Sequence, residues 1–383
     1  LGEMAITHPG VRTFTEFSRA GLGDAAGFIA GWLYWYFWIV VVPIEAIAGA
    51  QILQQWIDLP MWQLGLGLMA VMTAVNLLSA RSYGEFEFWF SSIKVAAIVA
   101  FILVAAAFAF GLTSPDGATF ANLTDHGGFA PKGWVPVVAT VTTVFFSLVG
   151  AEITTVAAAE SKEPEKAVVR MATTITWRIL LFYVVSLGLI VCVVAWPTVK
   201  PGESPFTLAL NVMGFKWGSA VMSFIILTAV LSCLNSAVYV CSRVLHVMAD
   251  RGDAPRWLAE VNSQRVPARS ILLGSLVGVI GVVIAIVSPN RVFAFLISTT
   301  GTVILFVYLM TAIAHIRLRR RHPETETKAV RVWLFPWLSY VTIGAMFAVL
   351  IAMAVTPGLA SQFYFSLLTL AVVVGSYYAF RRP

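Results

Sequence analysis

A chain of 383 residues in which 59% are apolar and only 11% charged, with a mean hydropathy of +0.85, cannot cover its own apolar surface in water. An ordinary soluble domain carries about 25% charged residues. The composition therefore excludes a soluble enzyme, a nucleic-acid-binding domain and a disordered chain, and leaves an integral membrane protein. The formal net charge of +6 has a positional meaning, developed below.

The chain opens at Leu1 with neither an initiator methionine nor a basic-then-apolar leader, from which we expect the natural chain to begin earlier. A membrane-crossing helix needs about 20 mostly apolar residues. Stretches of that kind are predicted at 26–56, 61–79, 88–112, 134–158, 172–196, 217–242, 270–288, 291–314, 333–355 and 362–380. They carry apolar residues on every face, which marks spans rather than surface helices. Short alternating strands, as a barrel needs, are not visible. The whole of 1–383 reads as one transmembrane unit.

Ten spans create two alternating sets of connections, and Lys and Arg prefer the cytoplasmic set. Of the 25 basic residues, 19 fall in one set, from Arg12 and Arg19 through Arg243–Arg269 and Arg317–Arg331 to Arg381 and Arg382. Only Lys132, Lys200, Lys216 and Arg291 fall in the other. The first segment and the C-terminus are therefore expected to be cytoplasmic. The run Arg317–Arg321 reads as a juxtamembrane anchor beside lipid headgroups, and no nucleic-acid partner is expected. Cys192, Cys233 and Cys241 lie in apolar stretches without paired or metal-like spacing. His8, His126, His246, His315 and His322 are scattered, and no nucleophile elbow or phosphate loop accompanies them. No enzyme, metal or cofactor is expected.

Charges at membrane depth cost roughly 2.5–3.5 kcal/mol each, so every one is a functional candidate. Glu45 follows Pro43, which removes one helix hydrogen bond and is expected to kink its span. Its carboxylate either meets a substrate ammonium or a proton, or anchors the helix at the interface. Lys94 lies about 10 Å of helix beyond Glu87; it either carries protons or snorkels to the interface. Glu152 lies about 12 Å of helix before Glu160 and is either functional or a packed structural carboxyl. Ser147, Gly150 and Thr154 form a narrow small-residue face, fitting either close helix packing or a broken helix with freed backbone groups. Two further polar clusters, Ser298–Gly301 and Ser232–Ser236, read as helix–helix hydrogen bonding or as ligand contacts.

Several motifs together resemble the amino acid permeases of the amino acid–polyamine–organocation superfamily. They are Leu1-Gly2-Glu3-Met4-Ala5, Tyr83-Gly84-Glu85-Phe86-Glu87-Phe88-Trp89 with Lys94, and Gly150-Ala151-Glu152. Ala159-Glu160-Ser161 through Lys166 and Arg251-Gly252-Asp253-Ala254-Pro255 add two more. Gly31–Trp35, Pro43–Ala46 and Trp333–Trp337 look most like the 4-aminobutyrate (GABA) permeases. The resemblance implies an all-α, polytopic fold of two inverted five-helix repeats plus two further helices. The ten stretches would be its third to twelfth spans, with the first and most of the second absent. It also implies that Phe146, Ser147, Gly150 and Ala151 line a substrate pocket, with Glu152 linking it to the cytoplasmic gate. Lys94 would couple transport to protons, and Ser298 and Thr299 would fall on a gating span. The function so implied is symport of GABA or a similar small amino acid with protons, by alternating access in the cytoplasmic membrane. The gradient would drive it without a cofactor, and the sequence fixes no oligomeric state. A permease for another amino acid and a non-transporting nutrient sensor are the alternatives.

Overall fold

The computed structural model describes residues 1–383 except 9–10, 12, 114–119, 129, 153–162, 200–203, 265, 322–331, 357–358 and 381–383. Among the described residues the regular elements are helices. In chain order, the first six are α1 (Gly2–Thr7), α2 (Glu16–Leu22), α3 (Asp24–Leu53), α4 (Met61–Leu78), α5 (Ala80–Ala109) and α6 (Trp134–Leu148). Next, α7 (Pro164–Ile179) runs through a π-helical turn (Leu180–Val185) into α8 (Ser186–Val193). Then follow α9 (Pro205–Val212), α10 (Gly218–Asp250), α11 (Ala268–Ile284), α12 (Pro289–Arg321), α13 (Trp337–Val355) and α14 (Ala360–Phe380). Among the described residues, eight helical rods are long and apolar enough to cross a membrane, while α6 and α11, with 15 and 17 residues, are shorter. Each of the ten predicted stretches thus has its helix, and the protein is a multi-pass helical membrane protein.

The helix ends differ from the predicted ones where charge continues a helix past its apolar part. Residues 243–250 of α10 and all of His315–Arg321 in α12 are helical, although hydropathy alone ends those spans at 242 and 314. Helix α3 runs on through Pro43.

Helix α3 is the hub: most of its residues are buried, and α2, α4, α10, α11 and α12 pack around it. Its side chains Leu33, Tyr34, Phe37 and Ile47 join Leu234, Leu245 and Ile271 in the main core. Close approach is needed where α11 crosses it, since a Cβ on Gly278 would lie 2.6 Å from Val42 and from Met69. Polar pairs also bind the rods: Asn76 donates to Asn235 Oδ1 at 3.0 Å, and Thr73 donates to Ser275 at 2.7 Å. A smaller core, with Phe101, Ala105, Ile190 and Val193, joins α5 to α8. Outward residues such as Leu103, Ile351 and Val372 are exposed, as a surface solvated by lipid requires.

One end of the bundle is tied by ions. Arg19 pairs with Asp24 and Asp253, and Arg251 donates to Glu16 at 2.7 Å. Glu3 is buried 3.3 Å from both His315 and Arg319 and accepts the Val332 N–H at 3.0 Å. Burial alone would raise its pKa, but His315, the Val332 amide and the Arg319 charge outweigh it and hold the carboxyl below its ordinary 4.5.

Candidate functional site

The polar residues of the bundle converge where α6 ends. Helix α6 stops at Leu148, Val149 and Gly150 form a turn, and helical backbone resumes at Ala151–Glu152. Gly150 has φ +110°, a conformation that only glycine adopts at little cost. The ambiguity between a packing face and a broken helix is thereby resolved in favour of the break. A helix end leaves its last carbonyls without intrahelical partners. Tyr183, on the π-helical turn, donates to one of them, the Ser147 carbonyl, at 2.9 Å. Single π turns often occur at functional positions.

Glu152, 3% exposed, is held just beyond the break. The Tyr34 hydroxyl of α3 donates to its Oε1 at 2.9 Å. The Gly150 N–H donates to Oε2 at 2.9 Å, and the Tyr308 hydroxyl of α12 donates to the same oxygen at 3.1 Å. Three hydrogen bonds from three parts of the chain satisfy a carboxyl that would be costly to bury alone. Phe14 packs edge-on against Tyr34 at 4.7 Å between ring centroids and lies 6.3 Å from the Tyr308 ring.

On the other side of the break, Lys94 stands at a cavity of about 430 Å³ whose wall includes Ser147, Tyr183, Ser186, Phe182, Ile98 and Phe206. A second cavity of about 260 Å³ shares Lys94, Ile98 and Phe206. Lys94 Nζ donates to Ser232 Oγ at 2.7 Å and lies 3.8 Å from Glu87 Oε1. Ser232 in turn donates to Glu87 Oε1 at 2.6 Å, so its hydroxyl bridges cation and anion. Ser91 and Ser236 donate to Glu87 as well, at 2.9 and 3.3 Å. The carboxyl of Glu45 meets the Cys233 thiol and lies within electrostatic reach of Lys94. An ammonium and several hydroxyls beside an apolar cavity suit a small zwitterion with a modest side chain. No cluster able to hold a metal ion occurs among the described residues.

The amino acid permease family model matches residues 1–382. The chain belongs to the amino acid permease family. It is 40% identical over 386 residues to the gamma-aminobutyric acid permease of Bacillus subtilis (strain 168), covering 100% of this chain and 82% of that one. To the probable GABA permease of Pseudomonas aeruginosa PAO1 it is 38% identical over 392 residues, with 100% and 82% covered. To the aromatic amino acid transport protein AroP of Escherichia coli O6:H1 it is 33% identical over 386 residues, with 100% and 84% covered. This permease is therefore a transporter of amino acids and not an enzyme.

Within the permease, Lys94 and Ser147 share one cavity, Glu152 folds back on Gly150, and Glu45 sits near Lys94. Among the described lining residues, Glu45, Gly150 and Ala151 are not in the cavity wall. The side chains of Phe146, Ser298 and Thr299, and the segment Ala159–Ser161, lie outside the described residues. Sequence reasoning missed Tyr34, Tyr308, Tyr183 and Glu87. Glu87 carried a readable signal, because Ser91 lies four residues and Lys94 seven residues further along the same helix face. The tyrosines carried none, since their partners lie 118, 156 and 36 residues away.

Proposed function

We propose that the permease is a proton-coupled symporter that imports GABA or a similar small amino acid across the cytoplasmic membrane by alternating access. The observation that carries this reading is the broken helix at Gly150, whose last turn brings Ser147 into the wall of the cavity where Lys94 stands. The turn at the break and the residues Phe146, Ser147, Gly150, Ala151, Ser298 and Thr299 form the substrate path. Lys94 couples the cycle to protons, Glu152 joins the path to the gate, and Glu45 meets the substrate ammonium. A desolvated zwitterion needs such a polar site, and one proton carrier suffices to make accumulation follow the gradient. Residues 1–383 act as one transporter unit in contact with membrane lipids. The arginine-rich end tied by Arg19, Arg251 and Glu3 faces the cytoplasm, with proton-motive force in place of a cofactor.

A second reading, a permease for a larger apolar amino acid, is favoured by one observation: Ile98, Phe182 and Phe206 give the cavity an apolar wall. Radiolabelled GABA uptake into proteoliposomes with an alkaline interior, competed by unlabelled amino acids, tests both. Gradient-dependent uptake blocked best by GABA supports the first reading. Uptake blocked better by phenylalanine or tyrosine keeps the mechanism and changes the substrate. Absence of gradient-dependent uptake of any of these overturns symport.

A further inference from the structure

We propose that the seam between α5 and α10 is a proton path leading from Lys94 to the arginine-rich end of the bundle, with Glu87 as its intermediate acceptor. This deepens the assignment of Lys94 as the coupling group and rests on it. Two facing helices each present a polar stripe at helical spacing: Tyr83, Glu87, Ser91 and Lys94 on one, Ser232, Ser236, Tyr239 and Arg243 on the other. Holding two rods together in a membrane needs only small residues or an occasional hydrogen bond. A continuous string of hydroxyls with a carboxylate in the middle is a much costlier way to pack.

The string has no gap wider than a hydrogen bond. From Lys94 it runs to Ser232 at 2.7 Å, to Glu87 at 2.6 Å, to Ser236 at 3.3 Å and to the Tyr83 hydroxyl at 3.2 Å. Tyr83 stacks on Tyr239 at 3.9 Å, and the Arg243 guanidinium covers the Tyr239 ring at 4.0 Å. The path therefore ends beside a fixed positive charge and a partly exposed phenol. Around Glu87, α5 itself brings Lys94, Tyr83 and the exposed Glu85, and α10 brings Cys233 beside the two serines. The π-helical turn contributes Tyr183, α8 contributes Cys192, and α4 contributes no titratable side chain.

The transfer balances. The Lys94 ammonium gives a proton to Ser232 Oγ as the Ser232 hydroxyl proton passes to Glu87 Oε1, leaving a neutral amine and a neutral acid. Rotation of the neutral Glu87 carboxyl by half a turn then brings the protonated oxygen to Ser236 Oγ, which takes that proton as the Ser236 proton passes to the Tyr83 oxygen and the Tyr83 proton passes to water. Each hydroxyl ends with one proton, and the net event moves one proton from Lys94 to the end of the seam.

The test uses the purified full chain in proteoliposomes containing a pH-sensitive dye, with GABA and phenylalanine as parallel probes. In E87Q, and less completely in Tyr83→Phe, gradient-driven accumulation and dye acidification should fall at least tenfold. Exchange of labelled for unlabelled substrate, which moves no net proton, should stay within twofold, and E87D should recover part of the coupled flux. Wild-type accumulation in E87Q overturns the path. So does an equal loss of accumulation and exchange, which marks Glu87 as helix packing alone. Lys94→Ala separates the two levels of the argument: normal accumulation in that variant overturns the coupling reading and the path together. A defective Lys94→Ala beside a normal E87Q overturns the path only.

Discussion

Among the described residues, two phenols and one amide donate to Glu152. Removing either phenol strands part of a buried carboxyl, a loss of about 1–3 kcal/mol. Tyr34→Phe and Tyr308→Phe should each lower the thermal midpoint in detergent and slow uptake, and the double variant should lose less than the two effects added, since the donors share one acceptor. Full additivity would separate the two hydroxyls. At Lys94 the expectation differs in kind: Lys94→Ala should abolish gradient-driven accumulation while sparing part of exchange, read by the two assays side by side. Glu45→Gln should weaken GABA binding, measured by competition, because a neutral amide attracts an ammonium less than a carboxylate. Both charges were legible in the sequence, as unpaired costs inside apolar stretches. The partners of Glu152 were not, because a tyrosine in a membrane helix is ordinary and nothing local marks which carboxyl it will reach.

At the scale of one helix, the break in α6 depends on a single residue without a Cβ. An L-residue at φ +110° costs about 1–3 kcal/mol, and none of the described residues lies within 4 Å to obstruct the added methyl. Gly150→Ala should therefore fold but favour an unbroken or displaced turn. Uptake should fall by tenfold or more, with hydrogen exchange altered around residues 147–152. A Gly278→Val variant should fail differently, through collision with Val42 and Met69, and lower stability before function. Ser147, Gly150 and Thr154 suggested a narrow face in the sequence but not its use, since packing and breaking ask for the same small residues; the backbone angle distinguishes them. Helix α12 shows the opposite limit: its charged end continues as helix because Glu3 and Phe335 receive Arg319, contacts no hydropathy window contains. Glu3 also makes a pH expectation. Its folded pKa lies below the unfolded value, so its contribution is whole above about 4.5 and is lost as pH falls through the lower folded value. Thermal midpoints should drop over that acid range in the wild type, with a smaller drop in Glu3→Gln.

Across the whole molecule, hydropathy located the helices, eight of them long enough to span among the described residues, because each must hide its backbone from lipid within one contiguous segment. It located none of the long-range ties, which depend on tertiary packing alone. Those ties have a consequence for how the chain is made. Asp253 follows Arg19 by 234 residues, and Arg319 follows Glu3 by 316. Chains are synthesised at roughly 5–20 residues per second, so the early charges wait on the order of 10–60 s for partners that do not yet exist. During that interval α2 and α3 must be held with Arg19 in water or beside Asp24, and the bundle cannot close at that end. The connection after α10 and the end of α12 therefore lock α2 and α3 in place, and a chain cut short before them remains open at that end.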